Sequence, residues 1–268
     1  MQRTSRLAFT LVELSIVLVI LGLLVGGVLA GQSLIHAAEL RSVSNEFTSY
    51  KTALNAFREK YNALPGDMPN AVRFWGAADG GTADGSDATC DAVTTAAVGT
   101  ETCNGNGNRW IGGHMGDWEV PTEWFRAWQQ MKNAGLVEGN FSGVAGPIDG
   151  WDCVIGVNVP RSRYPGAGWT LMGEGAVPDD AAWFGGNYGH MLIFGSQQPG
   201  GAVTTGDPVL KPEDAFNIDT KMDDGKPGTG LIRTHKNGHI PDCVAADDEN
   251  YLLSGQTNGC YLFFTNVI

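Results

Sequence analysis

Residues 14–31 read LSIVLVILGLLVGGVLAG, eighteen residues without a charge. A run that long and that apolar is sufficient to cross a bilayer as a helix. Arg3 and Arg6 precede it. Basic residues ahead of a first span place the N-terminus in the cytoplasm and the rest of the chain across the membrane. Glu13 stands at the cytoplasmic edge of the run. A carboxylate there is costly, and it calls for a specific partner.

The helical pattern continues past the lipid. Apolar residues fall at Leu40, Val43, Phe47, Tyr50, Leu54, Phe57 and Tyr61, in alternating steps of three and four. That is a heptad stripe, with one face apolar over three repeats. Arg41, Ser44, Asn45, Glu46, Ser49, Lys51, Asn55, Arg58, Glu59 and Lys60 lie between and form the polar face. Leu64-Pro65-Gly66 ends the helix, because proline cannot continue it and restricts the residue before it. From Phe9 to Tyr61 the rod is roughly 80 Å long. Half belongs in lipid, and half carries a stripe for something to pack against.

The segment Arg6-Leu7-Ala8-Phe9-Thr10-Leu11-Val12-Glu13-Leu14-Ser15 resembles the cleavage and methylation segment of type IV pilins and type II secretion pseudopilins. The resemblance covers about the first sixty residues. It implies that a prepilin peptidase cuts between Ala8 and Phe9, that the new amino group of Phe9 is methylated, and that Glu13 serves assembly. The family has glycine before the cut, where this chain has Ala8. A secretory signal peptide is the plainer alternative, with Ala30-Gly31 as its cleavage site. The heptad running straight through that point argues against it. A simple anchor would need neither Glu13 nor the Phe9–Glu13 string.

The composition sets further bounds. About 205 residues follow the long helix, enough for one sizeable domain or two small ones, and no second domain is visible. The formal charge is −12, and loss of Arg3 and Arg6 with the leader makes it two units more negative. An acidic chain is a poor nucleic-acid binder. The 38 glycines signal many turns. All five cysteines lie beyond the membrane run, as suits an oxidising compartment.

Gly, Asp and Asn clusters at 77–87 and 102–108 mark loops, with Phe74, Trp75, Trp110 and Trp118 spaced to pin them to a core. Pro121 to Leu136 reads as a helix with Trp124, Trp128 and Met131 inside. Strands are expected at Cys153–Val159, Trp169–Met172 and His190–Phe194. A second helix starts at Pro212, buries Phe216, Asp219 and Met222, and stops at Gly225. Tyr251–Leu253 and Cys260–Val267 are apolar runs able to pair antiparallel. The pattern is α+β. By the resemblance it is pilin-like: a long helix packed on an antiparallel sheet with loop-rich insertions. The expected divisions are a leader at 1–8, the long helix at 9–64 with its span ending near residue 31, and a periplasmic or extracellular domain at 65–268.

No catalytic signature is present, and the chain reads as a non-enzyme. His235, His239 and Cys243 have helical spacing, but Gly238 and Pro241 break any helix, so the histidines are expected in an exposed loop. Two bridges among five cysteines allow fifteen arrangements. Proximity favours Cys90–Cys103 and Cys243–Cys260 and leaves Cys153 over. The second pair resembles the C-terminal disulfide loop of many pilins, and each loop would contribute about 3 kcal/mol. Asp219, Asp223 and Asp224 crowd the end of the second helix, where the dipole disfavours negative charge. Lys221, Lys226 and Arg233 are the ordinary candidates to compensate, and calcium is the sharper one. The resemblance supplies a calcium in a C-terminal loop for secretion pseudopilins. Asp79–Asp87 is a weaker cation candidate.

The reading is a structural subunit of a type IV pilus or type II secretion pseudopilus. Its partners would be a prepilin peptidase, other pilin-like subunits and an inner-membrane assembly platform. The other class in contention is a membrane-anchored, adhesin-like binder that never polymerises.

Overall fold

The computed structural model describes residues 11–78, 99–112, 122–146, 152–198, 200–240 and 242–268. The first element, α1, is one unbroken helix, Leu11–Tyr61. No proline interrupts those 51 residues, and at about 1.5 Å per residue they reach about 76 Å. Asn62 leaves the helix at φ 51°, three residues before Pro65. The chain then turns back through Gly66, whose φ is +85°. A Cβ there would meet the backbone oxygen of Glu123 at 2.2 Å, so only glycine lets the two segments touch.

A single turn, α2 (Val72–Trp75), and the helix α3 (Thr122–Asn133) follow. Trp124, Trp128 and Met131 are buried on α3, on the side expected. The first helical residue described there is Thr122; Pro121 lies outside the described residues. Strands β1 (Ala167–Gly173), β2 (Ala176–Val177), β3 (Gly186–Asn187) and β4 (His190–Ser196) come next. Helix α4 (Pro212–Met222) carries proline at its start. Strands β5 (Ile232–Arg233) and β6 (Leu262–Phe264) close the chain.

β1, β4, β6 and β5 form one antiparallel sheet in that order, and β2 pairs with β3 separately. Trp169 faces Phe194 across the β1–β4 pair, and Phe194 faces Leu262 on β6. β1 is buried at every position, so its sequence does not alternate. One face lies under α1, where Phe47 stacks on Phe264 at 4.6 Å and Tyr50 meets Trp169 at 5.8 Å. The other face is covered by loops, with Trp183 stacked on Phe263 at 5.2 Å. The fold is α+β: a long N-terminal helix packed on a small antiparallel sheet.

Several local expectations fail. Cys153–Val159 is a tight turn closed by an Ile155–Val159 bridge, not a strand. Gly156 at φ +86° and the Asn158 side chain, which accepts from Val154 N–H at 2.6 Å, bend the apolar run back on itself. Tyr251–Leu253 does not pair with the terminal run: Tyr251 bridges Val244, Cys260 bridges Leu210, and β6 goes to β4 and β5. On α4 the buried apolar residues are Ala215 and Ile218, while Phe216 and Met222 are half-buried. Phe74 does not pin a loop: it is 56% exposed. Trp118 lies outside the described residues.

Candidate functional site

The heptad stripe divides α1 into two halves with opposite surroundings. Leu40, Val43, Phe47, Leu54 and Phe57 are buried, and Tyr50 and Tyr61 are half-buried against the same core. From Leu11 to Ile35 the large apolar side chains are exposed; Leu23, for example, is 74% exposed. Burying each such side chain is worth about 1.5–3 kcal/mol, so this half cannot stay in water. Lipid or other protein must cover it. Glu13 sits in its first turn, on the same uncovered surface. Ala8 and Phe9 lie outside the described residues.

Directional contacts lock the buried half in place. The Glu46 carboxylate accepts from Ser162 Oγ at 2.6 Å, Trp169 Nε1 at 2.8 Å and Arg163 N–H at 2.8 Å. One side chain of α1 thus holds β1 and the segment that leads into it. A second latch lies near the point where the globular body begins. His36 Nε2 is 2.8 Å from Asp214 Oδ1 on α4, and its Nδ1 is 3.7 Å from Glu39. Pattern reading put Glu46 on the polar face and missed both contacts. Glu46 is three residues after Val43 and four before Tyr50, on the shoulder of the stripe, and that spacing was the available signal.

Asp219, Asp223 and Asp224 do come together. One carboxylate oxygen from each lies within 4.8 Å of the others. Asp219 is fully buried, accepting from Tyr251 Oη at 2.9 Å and Gly225 N–H at 3.2 Å. Burial pushes its carboxyl up to about 7; the Tyr251 and Gly225 hydrogen bonds oppose the rise, and the neighbouring Asp224 and Asp223 charges add to it. One oxygen of Asp223 accepts the N–H groups of Leu231 and Ile232. Asp224 accepts from Lys226 N–H at 2.9 Å and Thr229 Oγ1 at 2.5 Å. The acids therefore fasten the chain from Gly225 to Ile232 onto the end of α4.

The expected lysine and arginine compensation is not found. Among the described residues no cationic nitrogen forms an ion pair with these three carboxylates. Lys226 Nζ turns instead to Asn250 Oδ1 at 2.9 Å, and the Arg233 guanidinium lies 4.9 Å over the Tyr188 ring while its Nε donates to Gly230 O. The donor set is all oxygen, and oxygens up to 4.8 Å apart can face each other across a calcium ion at about 2.4 Å. These three residues would hold such an ion. The weaker alternative at Asp79–Asp87 lies outside the described residues.

Cys243 and Cys260 are bonded, with Cα atoms 4.8 Å apart. Cys103 is also disulfide-bonded, and its expected partner Cys90 lies outside the described residues. Cys153 is free and buried, its thiol pushed up to about 12, chiefly by burial. The histidine expectation is half wrong. His239 is exposed, but His235 is only 5% exposed, packed 4.2 Å from Trp183 and 5.0 Å from Phe263. Burial drives His235 down to about 3, with the His239 charge adding to the fall, which makes it a core side chain.

An uncovered apolar half-helix with an acid in its first turn runs unbroken into the half that seats the domain. Residues 3–29 match the family model for the prokaryotic N-terminal methylation motif. Together with the long apolar helix, this motif fits a type IV pilin-like protein. It brings with it membrane association and processing by a prepilin peptidase. The match ends within the apolar run, before the stripe that docks the domain. No curated protein and no solved structure matches the chain.

Proposed function

We propose that the chain is a structural subunit of a filament of the type IV pilus or type II secretion pseudopilus kind. It is made as a precursor in the inner membrane, with the N-terminus cytoplasmic and the domain at 65–268 in the periplasm. Prepilin peptidase removes residues 1–8, and Phe9 is methylated. An inner-membrane assembly platform then moves the subunit from lipid into the filament among other pilin-like subunits. The protein works by packing, without catalysis.

The observation that supports this reading is the single continuous α1. The segment with the methylation motif and the segment that seats the domain are one rigid rod, uncovered from Leu11 to Ile35 and buried on one face from Leu40 to Phe57. A filament core built from such rods buries in protein what the membrane first buried in lipid.

Intact mass and N-terminal peptide analysis of membrane-extracted protein, with recovery of sheared filaments, tests the proposal. The expected mature start is a methylated Phe9, found in the filament fraction. A start near Gln32, or an intact Met1, refutes it. A chain that stays in the membrane when surface filaments are sheared away is the anchored adhesin-like binder instead.

A further inference from the structure

A cavity of about 270 Å³ opens beside the Cys243–Cys260 disulfide, at the small end of the range for small-molecule sites. Gln198 and Asp207 stand on the two segments that the Ser196–Asp207 bridge joins at the end of β4. Asp242 precedes Cys243, and Tyr261 follows Cys260. His239 is at the rim, its ring 4.3 Å from His235. The disulfide, the Ser196–Asp207 bridge and the Leu210–Cys260 bridge fix these walls, so the side chains project from a stapled frame.

Tyr261 is the floor. It is 5% exposed, and among the described residues its hydroxyl makes no hydrogen bond. The ring runs from Gly195 towards Gly206. A Cβ at Gly195 would lie 2.9 Å from Tyr261 Cβ, and one at Gly206 would lie 3.9 Å from Cζ, the carbon that bears the hydroxyl. Gly206 is itself part of the wall, so the hydroxyl end of the ring is the end that faces the cavity. Burial first and the Asp207 charge second push the phenol up, which keeps the hydroxyl neutral. A tyrosine this deeply buried ordinarily has a partner for its oxygen.

The remaining wall residues define that partner. No lysine or arginine lines the cavity, and among the described residues neither Asp207 nor Asp242 forms an ion pair. The Asp207 side chain receives only a long contact from Ser196 Oγ at 3.4 Å. Two carboxylates against one imidazole leave the walls net acidic in either state of His239. A bare metal ion does not suit them: among the described residues, only the three aspartates at the end of α4 gather their oxygens closely enough to hold one. A neutral polyol would leave both carboxylates without a counter-charge. An ammonium group on a short carbon chain brings three N–H donors, one positive charge and a stem able to lie along Pro208 and Ile240.

We propose that this cavity binds a primary alkylammonium group, with Tyr261 Oη and the Asp207 and Asp242 carboxylates as its acceptors. A free small amine and a lysine side chain carry the same group. The site goes beyond the filament reading and does not depend on it.

Isothermal titration of the detergent-solubilised full chain, with a chelator to keep divalent ions out, tests the site. The probes are butylamine for the free amine and Nα-acetyl-lysine methylamide for the side chain. Nα-acetyl-norleucine methylamide and methyl glucoside are the uncharged controls. Saturable binding of one or both amines is expected, and of neither control; which amine binds identifies the source. An acidic chain attracts any cation diffusely, so the deciding variant is Tyr261→Phe, which keeps the ring and the charge and removes only the hydroxyl. It should weaken binding about tenfold, as loss of a hydrogen bond to a charged group does. Asp242 is exposed, so Asp242→Asn is a second variant that leaves the core alone, and it too should weaken binding several-fold. Urea unfolding like that of the native chain shows that each variant is folded. Amine binding unchanged by both substitutions, equal binding of an uncharged control, or no saturable binding of either amine overturns the proposal.

Discussion

His235 makes the domain acid-sensitive, and replacing it with phenylalanine should remove part of that sensitivity. The imidazole is 5% exposed among Trp183, Phe263 and Tyr261, and its Nδ1 is buried without a partner. Its folded pKa is lowered to about 3, against an unfolded value of about 6.5. The unfolded chain therefore takes up a proton that the folded chain refuses. Stability is fully present above about pH 6.5 and falls as the pH drops towards 3. Integrated from pH 7.5 to pH 5, the loss is about 2 kcal/mol for this one group. His190, 8% exposed and lowered to about 4 by burial, adds a similar amount. The assay is urea unfolding of the detergent-solubilised chain, followed by tryptophan fluorescence, at pH 7.5 and pH 5. Comparing His235→Phe with the native chain cancels every other titrating group. The variant should gain about 2 kcal/mol on the native chain between the two pH values. It should also match or exceed the native chain at pH 7.5, because the unpaired Nδ1 is gone. A variant-minus-native difference that is the same at both pH values would refute the buried, neutral histidine.

Four further outcomes are expected. Glu46→Ala should cost about 3 kcal/mol in urea unfolding, because Ser162 Oγ and Trp169 Nε1 are left inside without an acceptor; Glu46→Gln should recover much of it. Ala8→Gly should speed removal of the leader in a pulse-chase of precursor to mature protein. Glu13→Ala should be cut and membrane-inserted but poorly recovered in sheared filaments, since an apolar filament core makes an unpaired carboxylate cost several kcal/mol and so demands a partner that alanine cannot bind. Calcium held by Asp219, Asp223 and Asp224 should raise stability over a chelator control by about 2.7 kcal/mol at a hundred times its dissociation constant. Magnesium should not substitute, and Asp223→Asn should abolish the gain. Melts indifferent to calcium would leave the three acids only their hydrogen bonds to the 225–232 segment and to Tyr251.

What the sequence makes legible follows from the range of the interaction involved. The span and the stripe are periodic over many residues, so Leu40, Val43, Phe47, Leu54 and Phe57 can be picked out without knowing what they touch. The helices α3 and α4 carry their own start and stop signals. Cys153–Val159 misleads because an apolar run does not reveal that Gly156 will bend it. His235 misleads because the loop holding it is polar and broken by glycine and proline, while the rings that bury it come from residues 183, 261 and 263. The pairing of β6 with β4 and β5 is equally non-local. The three aspartates are legible as a cluster. Their partners are not, because Tyr251 lies 32 residues from Asp219.

A heptad stripe fixes which face of α1 packs, but it does not by itself fix where along the helix the domain sits. A slip of seven residues, about 10.5 Å, would put Phe47 in the seat of Leu40, Tyr50 in that of Val43, Leu54 in that of Phe47 and Phe57 in that of Tyr50. Apolar contact is non-directional and would tolerate much of that exchange. The same slip brings Ala53 to the seat of Glu46 and Val43 to that of His36. Three donors on Ser162, Arg163 and Trp169 would then lose their acceptor, and Asp214 would lose its imidazole. The polar residues on the shoulder of the stripe thus oppose this slip, having no equivalent one heptad further on. The reverse slip would bring Glu39 to the seat of Glu46, but it would put Ser33 and His36 in the apolar seats of Leu40 and Val43. A filament that places each domain by its helix needs that register to be single-valued. An error of one heptad would move the domain by about 10.5 Å against its neighbours.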